Sequence, residues 1–324
     1  MTTYSESWLV GPQRTQFYTR TYHPASAPKG VVVFVHGFIE HIARYEHVFP
    51  AWSARDIAVF AYDQRGFGRT ALDSERKSKN SSYAKTSWKE QLQDLEWAIG
   101  HAKREFGSIP LFLYGHSMGG ALVLAFPTRE HTPPEKETVT GLAGVIATSP
   151  LILQAKPAAK AARWIGGKAS LLMPSLTIPA DVNSQVVTSS SCCSARLTRP
   201  SQDISHDEAV GVAYMKDPMV KPVGSLRGIS DMLDGGEHLL RTEYTRWPTD
   251  LPVLLVHGSD DKVTSAKASE LLYQRLPAKD RKLSIYEGGY HELHNEPDGV
   301  KEKLIEECIA WVEAHLSPSI SPKL

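Results

Sequence analysis

Residues 111–126 of this chain read LFLYGHSMGGALVLAF. The first four residues are apolar and indicate a buried strand, and the run from Ala121 to Phe126 indicates a helix. Between them lies a G-x-S-x-G motif, in which the small residues two positions on either side of Ser117 let the backbone turn sharply without clashes. The segment therefore predicts a strand, a tight turn and a helix, with Ser117 exposed at the turn.

A glycine-serine turn with no chemical role is the alternative interpretation of this motif. The flanking strand and helix argue against it, because this strand-turn-helix setting is the one in which such a serine stands exposed as a nucleophile. The free N–H groups of the new helix would also point toward a developing oxyanion. We therefore expect Ser117 to be a catalytic nucleophile.

Short apolar runs elsewhere predict further strands, and the stretches between them predict helices. The predicted strands are Gly30–Val35, Ile57–Tyr62, Pro110–Tyr114, Leu142–Ala147, Pro252–His257 and Leu283–Tyr286. The predicted helices run from His41 to Arg55, from Thr86 to Phe106, from Ser117 onward, from Ser265 to Arg275 and from Val300 to His315. This alternation indicates the α/β class, with a mostly parallel sheet and helices on both faces.

The alternation breaks between about residues 151 and 225, where Ala, Ser, Pro and Lys are frequent and no clear strand is predicted. We interpret 151–225 as a cap inserted into a core formed by 1–150 and 226–316, with 317–324 as a C-terminal tail. The pair Gly166-Gly167 predicts that the helical part of the cap is split into two short pieces.

A serine hydroxyl needs a base to become a good nucleophile. In chains with this motif the order is serine, acid, histidine. The strand ending at His257 is followed by two carboxylates, and the next strand is followed by His291. Both loops lie at the carboxyl ends of strands, where an open α/β sheet assembles its site. We expect His291 to be the base and Asp261 the acid, with Asp260 as the alternative acid, and we interpret His257 as structural.

Hydrolysis of an ester or amide also requires two N–H groups that stabilise the oxyanion. One is expected from Met118, the residue after the nucleophile. The second is expected from Phe38, in the loop that follows the strand Gly30–Val35. A plain turn at Gly37 is the alternative interpretation of that loop.

Several blocks between about residues 30 and 312 carry a family resemblance. They are His36–His41, Arg44-Tyr45, Asp63–Gly68, Gly115–Gly120, Asp217-Pro218, His257–Asp261 and Tyr286–His294. In these blocks the sequence resembles the monoglyceride lipases of the α/β-hydrolase superfamily, within a wider group of serine hydrolases that includes lysophospholipases. Its Asp-Gln-Arg-Gly form is more similar to the fungal members than to the mammalian ones.

The resemblance implies the α/β-hydrolase fold and a catalytic triad of Ser117, Asp261 and His291, and it favours Asp261 over Asp260. The implied activity is that of a carboxylic ester hydrolase that splits monoacylglycerol into glycerol and fatty acid through an acyl-enzyme on Ser117. A lysophospholipase or a broad carboxylesterase with the same triad is the alternative. A catalytically silent binding protein with a hydrolase fold is a remote alternative.

The resemblance further implies that Glu40, Arg44 and His294 lie at the polar end of the pocket, where the glycerol hydroxyls bind. Polar groups at such a position discriminate strongly between substrates, because a buried group left unpaired is costly. A structural ion pair at a helix start is the alternative for Glu40 and Arg44, and the two roles can coexist.

The cap combines basic and apolar side chains in a stretch that lacks acidic residues. The basic ones are Lys156, Lys160, Arg163 and Lys168, and the apolar ones include Trp164, Ile165, Leu171, Leu172, Met173, Leu176 and Ile178. This combination is typical of a helix at a membrane or lipid-droplet surface. The alternative is a helix that packs its apolar side chains over the pocket.

The bulk composition excludes several other classes. Lys+Arg and Asp+Glu both number 36, so the formal net charge is zero and no overall positive electrostatic field attracts nucleic acid.

Three cysteines, of which Cys192 and Cys193 are adjacent, have no metal-ligand spacing and are expected to be free thiols. We expect no metal and no cofactor. Without a signal peptide or a long apolar run, the expected location is the cytoplasm, with peripheral lipid contact.

Overall fold

Residues 4–130, 134–157, 160–180 and 203–316 are described by the structure, which is a computed structural model. The strands within them are β1 (Tyr4–Val10), β2 (Gln16–Tyr22), β3 (Gly30–Val35), β4 (Ile57–Tyr62), β5 (Leu111–His116), β6 (Leu142–Thr148), β7 (Thr177–Pro179), β8 (Val223–Ser225), β9 (Val253–Gly258) and β10 (Arg281–Tyr286). The α-helices are α1 (Phe49–Ser53), α2 (Gly68–Leu72), α3 (Trp88–Phe106), α4 (Met118–Ala125), α5 (Lys136–Thr140), α6 (Lys160–Leu172), α7 (Glu208–Lys216), α8 (Leu226–Arg241), α9 (Ala266–Arg275) and α10 (Val300–Ala314).

Eight of these strands form one sheet with the order β1-β2-β4-β3-β5-β6-β9-β10. β1 pairs antiparallel with β2, and β2 pairs antiparallel with β4. The remaining pairs in this sheet are parallel. The predicted α/β class with a mostly parallel sheet is therefore confirmed.

The central strands are buried on both faces, which explains their continuous apolar sequences. In β3, Val31, Val33 and Val35 join the core layer that contains residues of α3, α4 and α8. Val32 and Phe34 join the opposite layer, which contains residues of α1 and α10. Alternate side chains of one strand thus fill two cores, and helices cover both faces of the sheet.

The sheet topology places the loops that follow β3, β5, β9 and β10 at one edge. These strands run parallel within the sheet, so their carboxyl ends meet at the same side. These loops carry four of the predicted site residues: Phe38 after β3, Ser117 after β5, Asp261 after β9 and His291 after β10.

The first half of the chain differs from the predictions in two places. The hairpin of β1 and β2 was not predicted, because β1 reads YSESWLV with every residue exposed or half-buried, and because β2, although buried, reads QFYTRTY and is not continuously apolar. The predicted helix from His41 to Arg55 is wrong: Ile42–Tyr45 forms a short 3-10 helix, and α1 covers only Phe49–Ser53. Pro50 explains the break, since it has no N–H and its ring clashes with the carbonyl four residues earlier.

The cap region also departs from the prediction. The helix α6 is one continuous piece from Lys160 to Leu172, so the expected break at Gly166-Gly167 is wrong. A glycine in a helix costs only about 1 kcal/mol relative to alanine, which packing and ion pairs can offset. Arg163 of α6 supplies such pairs, to Asp234 and Glu237 of α8. Two short strands, β7 and β8, also pair antiparallel where no strand was predicted.

The division into 1–150, 151–225, 226–316 and 317–324 stays a prediction. Cys192 and Cys193 and the tail lie outside the described residues. Within the described ranges, no helix combines the length and apolar character needed to cross a bilayer.

A buried ion pair fixes α3 to the loop after β4. The guanidinium of Arg65 donates from Nε and Nη2 to the two carboxylate oxygens of Asp94, at 2.9 and 2.7 Å. Its remaining donors reach Thr15 Oγ1 at 2.7 Å and the carbonyl of Pro12 at 3.2 Å, in the turn between β1 and β2. Arg65 therefore ties together the hairpin, the loop and the helix.

We expect Asp94→Ala to lower the free energy of unfolding by about 3–5 kcal/mol, because the buried Arg65 charge loses its partner. The double variant Arg65→Met/Asp94→Leu should cost less than Asp94→Ala alone, since it leaves no buried charge unpaired. Urea unfolding of the three proteins measures both effects. An equal or larger loss in the double variant would contradict this account of the pair.

Candidate active site

The backbone at Ser117 is strained and is held by glycines on both sides. Ser117 has φ 55° and ψ −118° at the junction of β5 and α4. A Cβ at Gly115 would lie 2.2 Å from the carbonyl oxygen of Gly119, and a Cβ at Gly119 would lie 2.0 Å from that of Val35. No side chain fits at either position. The G-x-S-x-G spacing is therefore a packing requirement of this turn.

Ser117, His291 and Asp261 form one hydrogen-bonded chain. Nε2 of His291 lies 3.0 Å from Oγ of Ser117, and Nδ1 of His291 lies 2.8 Å from Oδ2 of Asp261. The side chains of His291 and Asp261 are buried, and Ser117 is 6% exposed. The three residues come from three different loops, and the geometry is that of a nucleophile, a base and an orienting acid.

The Asp261 carboxylate is held in the ionised form by its neighbours. Its Oδ1 accepts the backbone N–H groups of Val263 and Thr264 at 2.7 and 2.9 Å. Burial alone would raise the pKa of Asp261, but the facing His291 and hydrogen bonds from His257 and His291 hold that pKa well below its ordinary value. Asp261 is thus set to orient an imidazole.

Asp260, the alternative acid, points elsewhere. Its side chain is exposed and accepts a hydrogen bond from the Ser259 hydroxyl at 3.0 Å. The geometry therefore favours Asp261 as the partner of His291.

His291 is prepared to accept a proton from Ser117. Burial alone would lower the pKa of His291, yet the Asp261 carboxylate outweighs burial and the pKa lies above its ordinary value. Because a carboxylate only accepts hydrogen bonds, Nδ1 carries the hydrogen and Nε2 of the neutral ring is free to accept. The backbone carbonyl of His291 also accepts the Ser149 hydroxyl at 2.8 Å, which fixes the loop.

Met118 and the loop that carries Phe38, the two expected sources of oxyanion donors, lie beside Ser117. Met118 is the first residue of α4, so its N–H has no intrahelical acceptor. A Cβ at Gly37 would lie 3.1 Å from Cβ of Ser117, which puts the loop of Phe38 against the nucleophile. The Glu40 carboxylate accepts the Gly37 N–H and so braces this loop.

Glu40 and Arg44 are members of a buried ionic cluster that includes Glu292. Nη1 of Arg44 donates to Glu40 at 2.9 Å, and Nη1 and Nη2 donate to the two oxygens of Glu292 at 2.7 and 2.8 Å. The Tyr45 hydroxyl donates to Glu40 at 2.9 Å. The ion pair expected as the alternative is therefore present. Glu292 directly follows His291 in the sequence and was not predicted as part of the site.

The two carboxylates of this cluster have pKa values shifted in opposite directions. Burial would raise the pKa of Glu292, but Arg44 lowers that pKa to about 2. Burial raises the pKa of Glu40. Arg44 lowers that pKa, but the negative charge of Glu292 partly cancels the effect of Arg44, so the pKa stays above its ordinary value. Glu292 is therefore the principal partner of Arg44, and the pair stabilises the segment that carries His291.

His294 is a polar side chain that lies beside this cluster. The ring is fully buried, and neither ring nitrogen has a hydrogen-bond partner among the described residues. It stacks on Tyr45 with centroids 4.6 Å apart, and it lies 4.8 Å from the ring of His116. Burial lowers the pKa of His294 to about 3, so the ring is neutral and can both donate and accept.

Segment 151–225, which is predicted to be a cap, contacts the site region at two described points. His41, after β3, lies 2.8 Å from the carboxylate of Asp217 in this segment. The guanidinium of Arg44 stacks on the ring of Tyr214 at 4.8 Å. In the part of the chain that the structure describes, no cluster of His, Cys, Asp or Glu could hold a metal ion.

The mostly parallel sheet and the strand-turn-helix segment at Ser117 define the α/β-hydrolase class. Comparison with known proteins supports this class. Residues 26–298 match the family described as serine aminopeptidase, S33, and the chain belongs to this family. The resemblance to monoglyceride lipases is confirmed by a putative monoglyceride lipase of Schizosaccharomyces pombe, which is 34% identical over 91% of this chain and 70% of its own length.

Other similar proteins agree in class. The monoacylglycerol lipase of Mycolicibacterium smegmatis is 28% identical over 97% of this chain and 99% of its own length. The solved structure of a soluble variant of monoglyceride lipase from Saccharomyces cerevisiae, in complex with a substrate analogue, has a TM-score of 0.78 at 24% identity and covers 98% of this chain and 97% of that chain. At that identity it supports the fold alone.

We expect Gly119→Ala to lower kcat/KM for a soluble ester on the order of 100-fold or more, because the new Cβ displaces the Ser117 turn. Gly166→Ala is the matched control, since a Cβ at Gly166 meets nothing within 4 Å. That control should keep full activity. Near-normal hydrolysis by Gly119→Ala would contradict the close approach of Gly119 to the Val35 carbonyl.

Proposed function

We propose that this chain is a carboxylic ester hydrolase that splits monoacylglycerol into glycerol and fatty acid. The 3.0 Å contact between Ser117 Oγ and His291 Nε2 is the observation that supports the chemistry. The substrate class is supported by relatives named as monoglyceride lipases, which match over 91–97% of the chain.

The acylation half of the reaction uses the hydrogen-bonded chain. His291 takes the proton of Ser117 at Nε2 while Oγ attacks the ester carbonyl carbon. The resulting imidazolium is stabilised by Asp261, and the tetrahedral oxyanion accepts the N–H groups of Phe38 and Met118. His291 then gives its proton to the glycerol oxygen, the ester bond breaks, and glycerol leaves.

The deacylation half repeats these steps with water. His291 takes a proton from water, the hydroxide attacks the acyl-enzyme, and Ser117 regains its proton as the fatty acid leaves. This mechanism requires no metal and no organic cofactor.

The glycerol end of the substrate is proposed to lie near His294. Within the described ranges, neither nitrogen of this buried ring has a hydrogen-bond partner, which supports a role in binding a hydroxyl. Glu40 and Arg44 line the same end, where their ion pair shapes the pocket and orients the base loop. Since these groups are already paired with each other, we assign the direct contact with glycerol to His294.

The cap is proposed to dock on a membrane or lipid-droplet surface from the cytoplasmic side. Supporting this, the large apolar side chains of α6 and the following segment point outward, with Trp164 67% and Leu172 83% exposed. A lipid surface would bury them and deliver the acyl chain to the site. Arg163 is excluded from this contact, because it is paired with Asp234 and Glu237.

The substrate panel for this proposal is monoolein, diolein, lysophosphatidylcholine, a short soluble ester and an aminoacyl anilide. We expect kcat/KM to be highest for monoolein, by about tenfold or more, because the glycerol hydroxyls find buried partners. Ser117→Ala should lower kcat/KM by about 10⁴-fold. Ser53→Ala, on α1 and outside the site, is the matched control and should be fully active.

Each substrate in the panel answers a different question. A lead for lysophosphatidylcholine or for the short ester would preserve the triad and overturn the monoacylglycerol assignment. A lead for the aminoacyl anilide would instead favour the reaction named in the family description. Full activity of Ser117→Ala would overturn the mechanism.

We expect the double variant Trp164→Ser/Leu172→Ser to weaken binding to phosphatidylcholine vesicles by about tenfold or more, given the apolar area withdrawn from the lipid. Hydrolysis of a short soluble ester should not change, since neither residue touches the site. Val10→Ser is the matched control, because Val10 is 59% exposed on β1. Vesicle co-sedimentation measures the fraction of protein bound to the vesicles. Equal binding by the wild type, the double variant and Val10→Ser would contradict docking through α6.

A further inference from the structure

A second buried imidazole contacts the Asp261 carboxylate. His257 lies at the end of β9, is fully buried, and has Nε2 3.1 Å from Oδ2 of Asp261. The same oxygen lies 2.8 Å from Nδ1 of His291. Asp261 is therefore held between two histidines, and the mechanism described above uses only one of them.

The hydrogen of His257 can be assigned from its partners. The ionised Asp261 carboxylate only accepts hydrogen bonds, so Nε2 of His257 donates. Its Nδ1 then accepts the hydroxyl of Ser269 at 2.8 Å, and Ser269 is itself fully buried on α9. This second bond fixes both the tautomer and the orientation of the ring.

We propose that His257 is a positioning residue: through its hydrogen bond to Oδ2 it holds the Asp261 carboxylate toward His291 and takes up part of its negative charge. The proposal rests on the triad of the proposed function and adds a residue that acts through Asp261 without touching the substrate. It does not depend on which ester is hydrolysed.

The sign of the effect follows from electrostatics. A donor on Oδ2 reduces the negative charge that His291 faces, and so limits the rise in the pKa of His291 that Asp261 causes. Without that donor, the pKa of His291 should rise further. His291 would then stay protonated, and unable to accept the Ser117 proton, up to a higher pH. The acid limb of the pH–rate profile should therefore move to higher pH.

Other polar groups around the pair would stay in place in such a variant. The Thr264 hydroxyl lies 2.8 Å from Oδ2 of Asp261, 3.4 Å from Nδ1 of His291 and 3.2 Å from Nε2 of His257. The charged and titratable groups that face the pair come from the loops after β3 and β10 and from the end of β5: Glu40, Arg44, His116, Glu292 and His294. Because Nε2 of His257 contacts both Asp261 and Thr264, a shift is assigned to the donor at residue 257 only if it is present with leucine and restored with glutamine.

The test compares His257→Leu with His257→Gln in the full-length protein. Leucine removes the donor, whereas the side-chain amide of glutamine places a donor at the position of Nε2 and cannot become charged. We expect His257→Leu to lower kcat/KM for a soluble ester on the order of 10- to 100-fold and to move the acid limb up by about half a pH unit or more. His257→Gln should restore both quantities to within about threefold and a few tenths of a pH unit.

Several outcomes would overturn the proposal. If His257→Leu only lowers the melting temperature and leaves kcat/KM and the pH profile unchanged, His257 is purely structural. If leucine and glutamine are equally damaging, the donor is not what matters. His101→Gln on α3, outside the site, is the matched control and should behave as the wild-type protein.

Two further variants keep the test decisive. If His257→Leu does not fold, Ser269→Ala leaves the ring in place and releases its tautomer, and the acid limb should shift in the same direction. An unchanged profile would then overturn the proposal. Ser117→Ala separates this inference from the proposed function: if it retains activity, the triad itself fails, whereas an inactive Ser117→Ala with a normal His257→Leu profile contradicts only the role of His257.

Discussion

The contact between Ser117 and His291 depends on a backbone that most residues cannot adopt. Ser117 has a positive φ of 55°, and the surrounding turn leaves no space for a Cβ at Gly115 or Gly119. The sheet holds both ends of this turn, since β5 is buried within it and α4 packs on its face. The site is thus built on a rigid edge, and this constraint places the Ser117 hydroxyl at a helix N-terminus, where the residue is 6% exposed.

Buried charge organises the rest of the site around that edge. Two residues adjacent in sequence serve two electrostatic units: His291 pairs with Asp261, and Glu292 pairs with Arg44. Each unit anchors one side of the same loop, so the imidazole is fixed both by its acid and by the ion pair next to it. His294 lies beside both units, and burial lowers its pKa to about 3, so its ring is neutral.

Sequence patterns predicted the strands that are both buried and continuously apolar and missed the elements set by tertiary contacts. The runs that form β3 and β4 were assigned with their correct ends, because strands buried on both faces are continuously apolar. The hairpin was missed because β1 is exposed or half-buried along its length, and because the buried strand β2 carries the polar residues Thr19, Arg20 and Thr21. Motif order led to Asp261 and His291. Glu292 and the contact of His257 with Asp261 carry no periodicity or motif, since they arise only when separate loops meet.

The most direct test of the account is to locate the nucleophile covalently. The wild-type protein is treated with a fluorophosphonate, digested, and analysed by mass spectrometry, in parallel with His291→Ala. We expect one modified peptide, with the adduct on Ser117. In His291→Ala the labelling rate should fall by about 10³-fold or more, because the hydroxyl has lost its base. An adduct on another serine, or equal labelling rates in the two proteins, would contradict an activated Ser117 as the centre of the site.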